Sequence, residues 1–198
     1  MKNIVTIFTI CCLYLSGTAQ ESNLKKWLKP DHYKVHFAGE IGLLSLGAGK
    51  EFFKKDQLEI TAFIGFLPKN IGGDDITTIS LKTAYWPVKI PLRNNSFFIE
   101  PIGIGINLYH AFGENLNKFR DPDLYPPEYY WWTIKYRIAP YLSGRISQKL
   151  DRPSLSILQY YYEFGTNDLY LYSWYNNRDK IKPYDIINFS FGISLKFK

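Results

Sequence analysis

The segment INFSFGISLKFK, residues Ile187–Lys198, ends the chain with an alternation of apolar and polar side chains. A period of two predicts a β-strand, because successive side chains of a strand point to opposite faces of a sheet. One face of this predicted strand carries only aliphatic and aromatic side chains: Ile187, Phe189, Phe191, Ile193, Leu195 and Phe197. An uncharged apolar face of this length is typical of a barrel wall whose outer surface contacts lipid.

The same alternation recurs in earlier parts of the chain, and turn-forming residues separate the segments. Five segments keep a period of two: residues 58–66, 79–85, 102–108, 132–146 and 158–164. A sixth segment, residues 39–53, is rich in glycine and loses its phase at Leu43 and Leu44, which predicts a bulge or a turn. We therefore expect an all-β fold, a closed antiparallel up-and-down transmembrane β-barrel of eight strands.

Two strand assignments lead to the number eight. If residues 165–168 form a tight turn, Leu169–Tyr175 is a separate strand. If they only bend the chain, residues 154–175 form one long strand and the eighth strand comes from Tyr33–Gly39. We favour the second assignment, because it brings the long connections to one end, as in transmembrane barrels with long external loops. Those connections are residues 67–76, 111–131 and 176–185.

The first twenty residues predict a cleaved signal peptide. Lys2 is followed by an apolar run, residues 5–15, and by small residues at 16–20 that suit a signal peptidase. The run is shorter than the roughly 20 residues of a membrane-spanning helix. Both cysteines, Cys11 and Cys12, lie in this segment, so the mature chain has no disulfide framework and no thiolate metal site. Lipidation of a cysteine is the alternative, but the residues before Cys11 are not small.

The remaining chain is expected to contain a periplasmic leader, residues 21–35, and the barrel, residues 36–198. The leader is either a short helix at the membrane surface or an irregular segment, since the helical spacing of Leu24, Trp27 and Leu28 ends at Pro30. The net charge of +6 is spread along the chain without a basic block, so nucleic acid is not indicated as a partner. An aromatic content of 18% suits a barrel with two interfacial girdles.

Charged side chains fall on the face opposite the apolar one, and this predicts a charged lumen. On the lipid side each charge would cost about 2–4 kcal/mol near the bilayer midplane. An eight-stranded barrel is only wide enough for its own side chains, so we expect ion pairs to plug the bore, with water or loop carboxylates such as Glu51 completing the network. A narrow pore lined by the basic surplus is the alternative. The predicted lumen residues are Glu59, Lys82, Lys135, Arg137, Arg145, Glu163 and Lys196.

The connection between residues 111 and 132 is the segment predicted to carry specificity, because long connections in compact domains are usually functional or disordered. Its aromatic side chains have two interpretations. They anchor the strand start at the lipid headgroups, or they form a surface that binds a sugar or a protein. The same pair of interpretations applies to Trp174. The aromatic residues in question are Tyr125, Tyr129, Tyr130, Trp131, Trp132 and Trp174.

The C-terminal strand resembles the recognition signal that outer-membrane β-barrel proteins present to the barrel-assembly machinery. Ser190, Gly192, Leu195 and Phe197 occupy the polar, glycine, hydrophobic and aromatic positions of that signal, with Lys198 as one extra residue. From about residue 36 onward the chain resembles the small eight-stranded barrels of the OmpA-transmembrane and OmpX type. The resemblance implies a bacterial outer-membrane location, contact with lipid and lipopolysaccharide, and the assembly machinery as a partner. It does not carry a function.

Catalysis has little support in the sequence. Barrel enzymes that modify lipid A place a histidine and a serine at the outer rim, and His110 and Ser173 are the weak candidates here. No cofactor or metal ion is predicted. The hypothesis is a non-enzymatic outer-membrane barrel, serving as a structural element, an adhesin or an accessory subunit of a membrane assembly, whose loops bind a protein or glycan partner. The alternatives are a lipid A-modifying enzyme of the outer leaflet and a narrow pore.

Overall fold

Nine β-strands form one sheet in the computed structural model, which describes residues 29–53, 56–92, 96–113, 116, 136–150 and 155–197. The strands are β1 (His32–Ala38), β2 (Leu44–Phe52), β3 (Leu58–Leu67), β4 (Ile76–Tyr85), β5 (Ile90–Leu92), β6 (Phe97–Phe112), β7 (Tyr136–Lys149), β8 (Leu155–Gly165) and β9 (Asn188–Phe197). They belong to one unit that begins at Asp31.

Eight of these strands close into a ring. Each pairs antiparallel with its neighbours along the chain, β4 pairs with β6, and β1 pairs with β9. The short strand β5 forms a hairpin with the first residues of β6 and lies outside the ring. The prediction of a closed antiparallel up-and-down barrel of eight strands is confirmed. Among the described residues, no helix has the length and apolar character needed to cross a membrane.

The connections divide between two ends of the barrel. We call one end the loop end; it carries residues 39–43, 68–75, 113–135 and 166–187. The turn end carries residues 53–57, 86–96 and 150–154, together with the start of β1 and the end of β9. The three connections that the second strand assignment brings to one end are therefore all at the loop end, although the turn-end connection of residues 86–96 is longer than residues 68–75.

The loop end contains the described helices. Helix α1 (Lys69–Gly72) follows β3, and helix α2 (Asp168–Asn176) follows β8. The prediction that Leu169–Tyr175 is a strand, or part of one, is wrong. The side chain of Asn167 caps α2 by accepting a hydrogen bond from the backbone nitrogen of Tyr170. Since the ring already closes through β1 and β9, no strand edge remains there for this segment to pair with.

Other boundaries differ less from the predictions. Strand β1 begins at His32, four residues before the expected start of the barrel at residue 36. The loss of phase near Leu43 corresponds to a 3-10 helix, Gly39–Ile41, and a turn into β2. The predicted signal peptide and residues 21–28 of the predicted leader lie outside the described residues, whereas leader residues 32–35 belong to β1.

Candidate functional site

The two faces of the barrel wall differ sharply in polarity. Outward side chains in the strands are mostly aliphatic or aromatic and exposed; Leu46 is 57% and Ile104 is 56% exposed. Inward side chains are mostly polar and buried. The buried charged residues of the interior are Lys34, Glu59, Lys82, Glu100, Arg137, Arg145, Glu163 and Lys196. Six of the seven predicted lumen residues are in this set, and Lys135 lies outside the described residues.

Arg145 on β7 is the centre of an ion-pair cluster toward the turn end. Its Nε and Nη2 donate to the two oxygens of Glu100 at 2.5 and 2.9 Å, and its Nη1 donates to Glu59 Oε2 at 2.9 Å. Lys34 forms a second ion pair with Glu59. The guanidinium also lies 4.0 Å from the ring centroid of Trp86. Bidentate geometry of this kind satisfies buried charges that would otherwise destabilise the fold.

A separate ion pair, outside the Arg145 cluster, joins Lys82 on β4 to Glu163 on β8 across the bore. Ser190 on β9 donates to the same carboxylate at 3.4 Å. Next to this pair, the ring of His36 stacks on Tyr161, and His36 Nδ1 shares a hydrogen bond of 3.0 Å with Tyr161 Oη. The middle of the interior is therefore connected by short polar contacts across four different strands.

A group of possible metal ligands lies at the turn end. His32, Glu51 and Glu59 offer ligand atoms within 4.8 Å of one another. However, Lys196 forms an ion pair with Glu51, and Glu59 already contacts two cations. Because these cations repel a divalent ion at short range, the group fits internal ion pairing better than metal binding.

Aromatic side chains fill the rest of the bore by packing on glycines. A Cβ atom at Gly47 would lie 2.6 Å from the ring of Phe63, and one at Gly103 would lie 2.6 Å from the ring of Trp86. Real Cβ atoms do not approach that closely, so only glycine leaves room for these rings. Together with the ion pairs, the rings make the interior a packed plug.

The loop end has a different arrangement around Glu40, which lies in the 3-10 helix. Glu40 Oε2 accepts hydrogen bonds from Tyr109 Oη at 2.9 Å and from Asn167 Nδ2 at 2.8 Å. Glu40 Oε1 accepts from Asn188 Nδ2. These three donors are neutral, in contrast to the cationic partners of the other interior carboxylates.

Glu40 separates two cavities. The inner one has a volume of about 20 Å³, enough for one water molecule, and is also lined by Lys82 and Glu163. The outer one has a volume of about 330 Å³, is also lined by Leu67 and Ile76, and opens at the loop end. The outer cavity falls in the size range of small-molecule sites.

The weak catalytic candidates do not form a site. His110 faces outward on β6, with ring centroids 4.3 Å from those of both Phe112 and Tyr136. Ser173 lies in α2, and its backbone carbonyl accepts a hydrogen bond from Asn177. Within the described residues, no hydrogen bond links His110 to Ser173. The histidine therefore resembles a member of an aromatic cluster on the outer wall.

The remaining predicted residues have mixed outcomes. Trp174 lies in α2, where its ring centroid is 5.2 Å from the guanidinium of Arg178. In the C-terminal signal, Phe197 packs edge-to-face on Tyr33 at 5.5 Å, and Gly192 lies under Tyr161. The loop aromatics Tyr125, Tyr129, Tyr130, Trp131 and Trp132 lie outside the described residues.

Sequence reasoning missed several interior residues. The ladder between β6 and β7 shifts register between Glu100 and Gly103, and this irregularity breaks the alternation that would have assigned Glu100 to the interior. Lys34 had a signal, since it lies between the outward Tyr33 and Val35. Glu40 had none, because it lies in the turn between two strands.

The fold and its interior define a class, the closed eight-stranded up-and-down β-barrel with a plugged bore. No family model matches the chain, and comparisons with curated proteins and with solved structures likewise find no match. Function is therefore inferred from the molecule's own geometry.

Proposed function

We propose that this chain is a non-enzymatic integral protein of a bacterial outer membrane, whose plugged barrel holds a partner-binding loop end at the membrane surface. It serves as a structural element, an adhesin or an accessory subunit of a membrane assembly. The observation that carries the proposal is the reversed polarity of the wall, with apolar side chains outside and ion pairs inside. A wall of this kind suits hydrocarbon outside and excludes edges that would aggregate.

The dimensions of the wall support this proposal. Strands β2, β3, β4 and β9 contain 9, 10, 10 and 10 residues. A tilted strand of about 9–11 residues crosses the hydrocarbon core of a bilayer. Outward aromatic residues lie near strand ends: Tyr33, Tyr85 and Phe197 at the turn end, and Phe37, Phe66, Phe112, Tyr136, Phe164 and Phe189 at the loop end. Two girdles of this kind are expected at the two lipid–water interfaces.

The loop end supports a binding role. It carries the long connections, and α2 exposes Tyr170, Tyr172 and Tyr175 to solvent. Tyrosine offers rigid apolar area with a polar tip, which suits protein and glycan partners. The proposed partners are therefore such a ligand at the loops, lipopolysaccharide and lipid around the wall, and the barrel-assembly machinery during biogenesis. Neither a lipid A-modifying enzyme nor a pore has a specific observation in its favour.

The test compares one lysine substitution on the wall with one outside it. Leu81 faces outward in the middle of β4, and Leu171 is exposed in α2. In phospholipid vesicles we expect Leu81→Lys to lower the free energy of unfolding by about 2–4 kcal/mol. The matched control Leu171→Lys should change it by less than about 0.5 kcal/mol. Unfolding in urea, followed by gel mobility of unheated samples, measures both.

Two results would contradict the proposal. One is a wild-type chain that stays monomeric and folded in buffer without detergent or lipid. The other is a Leu81→Lys variant as stable in vesicles as the wild type, since a wall exposed to water would tolerate lysine.

A further inference from the structure

The outer cavity at the loop end forms a cup with apolar walls and a polar floor. Its walls include Leu43, Leu67 and Ile76, and its floor carries Glu40 and Tyr109. The volume of about 330 Å³ corresponds to a ligand of modest size. Within the described residues, the cup opens at the loop end and not into the plugged bore, so the route to it does not pass through the barrel.

Charge pairing identifies what the floor of the cup needs. Within the described part of the chain, the other interior carboxylates each have a cationic partner: Glu51 with Lys196, Glu59 with Lys34 and Arg145, Glu100 with Arg145, Glu163 with Lys82, and Asp168 with Arg137. Glu40 has no ion pair there and contacts only neutral donors. The floor of the cup therefore holds a carboxylate that no cation of the described residues pairs with.

Arg137 lies near the floor of the cup but forms its ion pair with Asp168 and not with Glu40. Arg137 is the register partner of Tyr109 across the β6–β7 ladder, so it lies next to the floor of the cup. Its Nη1 donates to Asp168 Oδ2 at 3.1 Å, and its buried Nη2 has no hydrogen-bond partner among the described residues. Lys82, below the inner cavity, forms its ion pair with Glu163.

The hydrogen bonds of Glu40 leave room for one more donor. A carboxylate offers about four acceptor positions, two on each oxygen. Among the described residues, Oε2 accepts from Tyr109 and Asn167, whereas Oε1 accepts only from Asn188. An N–H group of a ligand would occupy the remaining position on Oε1 and bring the missing positive charge. The three neutral donors also hold the carboxylate in place, so little ordering is needed on binding.

We propose that the cup binds a small organic ammonium ion, with its charged nitrogen at Glu40 and its apolar body between Leu67 and Ile76. The inference deepens the proposed function, because it names a ligand class for the loop end. It requires the barrel and its open mouth, not insertion into a membrane.

The test uses benzylammonium as the probe and the full mature chain folded in detergent micelles. Saturation-transfer NMR and titration calorimetry measure its affinity, with benzyl alcohol and benzoate as matched controls for the apolar body. We expect benzylammonium to bind at least tenfold more tightly than either control. Equal affinities for the three compounds, or a preference for benzoate, would overturn the proposal.

Two variants separate the charge from the cavity. Glu40→Gln should weaken benzylammonium binding at least tenfold, whereas Asp185→Asn, at a carboxylate on the same end that only caps a backbone nitrogen, should not. Because Glu40→Gln also changes the hydrogen bonds of the floor, Ala111→Phe provides a second route: it keeps Glu40, fills the cup and should abolish binding. Unchanged binding in both variants would refute the site. Gel mobility of unheated samples checks that each variant is folded.

Two further results identify other occupants. If Lys135→Gln binds benzylammonium at least tenfold more tightly than the wild type, the chain's own lysine competes for Glu40 and the proposal fails. If Nα-acetyl-lysine methylamide displaces the probe at lower concentration than free amines do, the occupant is a protein lysine and the small-molecule assignment fails. If the wild-type chain needs lipid or detergent to fold but does not bind benzylammonium, the cup assignment fails and the proposed function stands.

Discussion

The two halves of the barrel interior differ in how their carboxylates are paired. Toward the turn end, Arg145 forms ion pairs with two carboxylates, and the ring of Trp86 packs against Gly103. Toward the loop end, the described donors to Glu40 are all neutral, and a cavity of about 330 Å³ lies beside it. The turn half pairs its carboxylates with cations of the chain. The loop half contains a carboxylate without an ion pair among the described residues and a cavity that can hold a ligand.

The difference shows how a barrel with a filled bore can still have a binding site at one end. Buried charges contribute to stability only when partners and hydrogen bonds satisfy them. The turn half meets that condition by itself and serves as the structural base. In the loop half, Glu40 has hydrogen bonds but no ion pair among the described residues. A ligand that supplies a cation there gains binding energy from that pairing.

The largest expected effect comes from breaking the turn-half cluster. Arg145→Met removes the described cation partner of Glu100 and one of the two partners of Glu59. Since an unpaired buried carboxylate results, we expect a loss of about 3–5 kcal/mol in the free energy of unfolding. Urea titration of the folded barrel in micelles measures it. Arg137→Met, whose partner Asp168 is partly exposed, should cost clearly less; equal losses would remove the distinction between the two halves.

A smaller effect is expected from filling space under a ring. Gly103→Ala places a Cβ 2.6 Å from Trp86, which also contacts Arg145. Overpacking of this kind costs about 1–3 kcal/mol. Gly165→Ala is the control, because its closest contact is 3.3 Å, to the Cβ of Tyr141. Calorimetric or urea unfolding should separate the two variants, and identical stabilities would mean that the plug adjusts freely.

The smallest effect concerns the backbone beside Glu40. Ala38 has φ 64° and ψ −163°, a region that is nearly exclusive to glycine and costs about 1–3 kcal/mol for other residues. Ala38→Gly should therefore stabilise the barrel by about 1 kcal/mol, after the extra chain entropy of glycine is subtracted. Ala48→Gly, in strand β2, should destabilise it. A destabilising Ala38→Gly would show that the turn is not strained.

Several elements could be predicted because their signal is local. The alternation over residues 58–66 matches β3 closely, and the final strand was recognisable from its apolar face. The same local signal misled at Leu169–Tyr175, where alternating residues form α2. An alternation with a period of two does not show whether a neighbouring strand is available for pairing. Here the ring is already closed, and Asn167 caps the helix that forms instead.

The candidate site was only partly predictable for a related reason. The charges of the lumen were recognisable wherever a strand kept its phase, as for Glu59 and Lys82. Glu100 was hidden by the irregularity beside it, and Glu40 by its place in a turn. The extra hairpin strand β5 also had no clear pattern over its three residues.

The sequence by itself determined which side chains share a face of the wall, because the period of a strand depends only on successive residues. Only the tertiary structure decided which inward groups meet. Arg145 reaches Glu59, 86 positions earlier in the chain, because ring closure and register bring β7 and β3 to the same level of the bore. The same closure leaves Glu40 without an ion pair within the described residues, because Lys82 pairs with Glu163 and Arg137 pairs with Asp168.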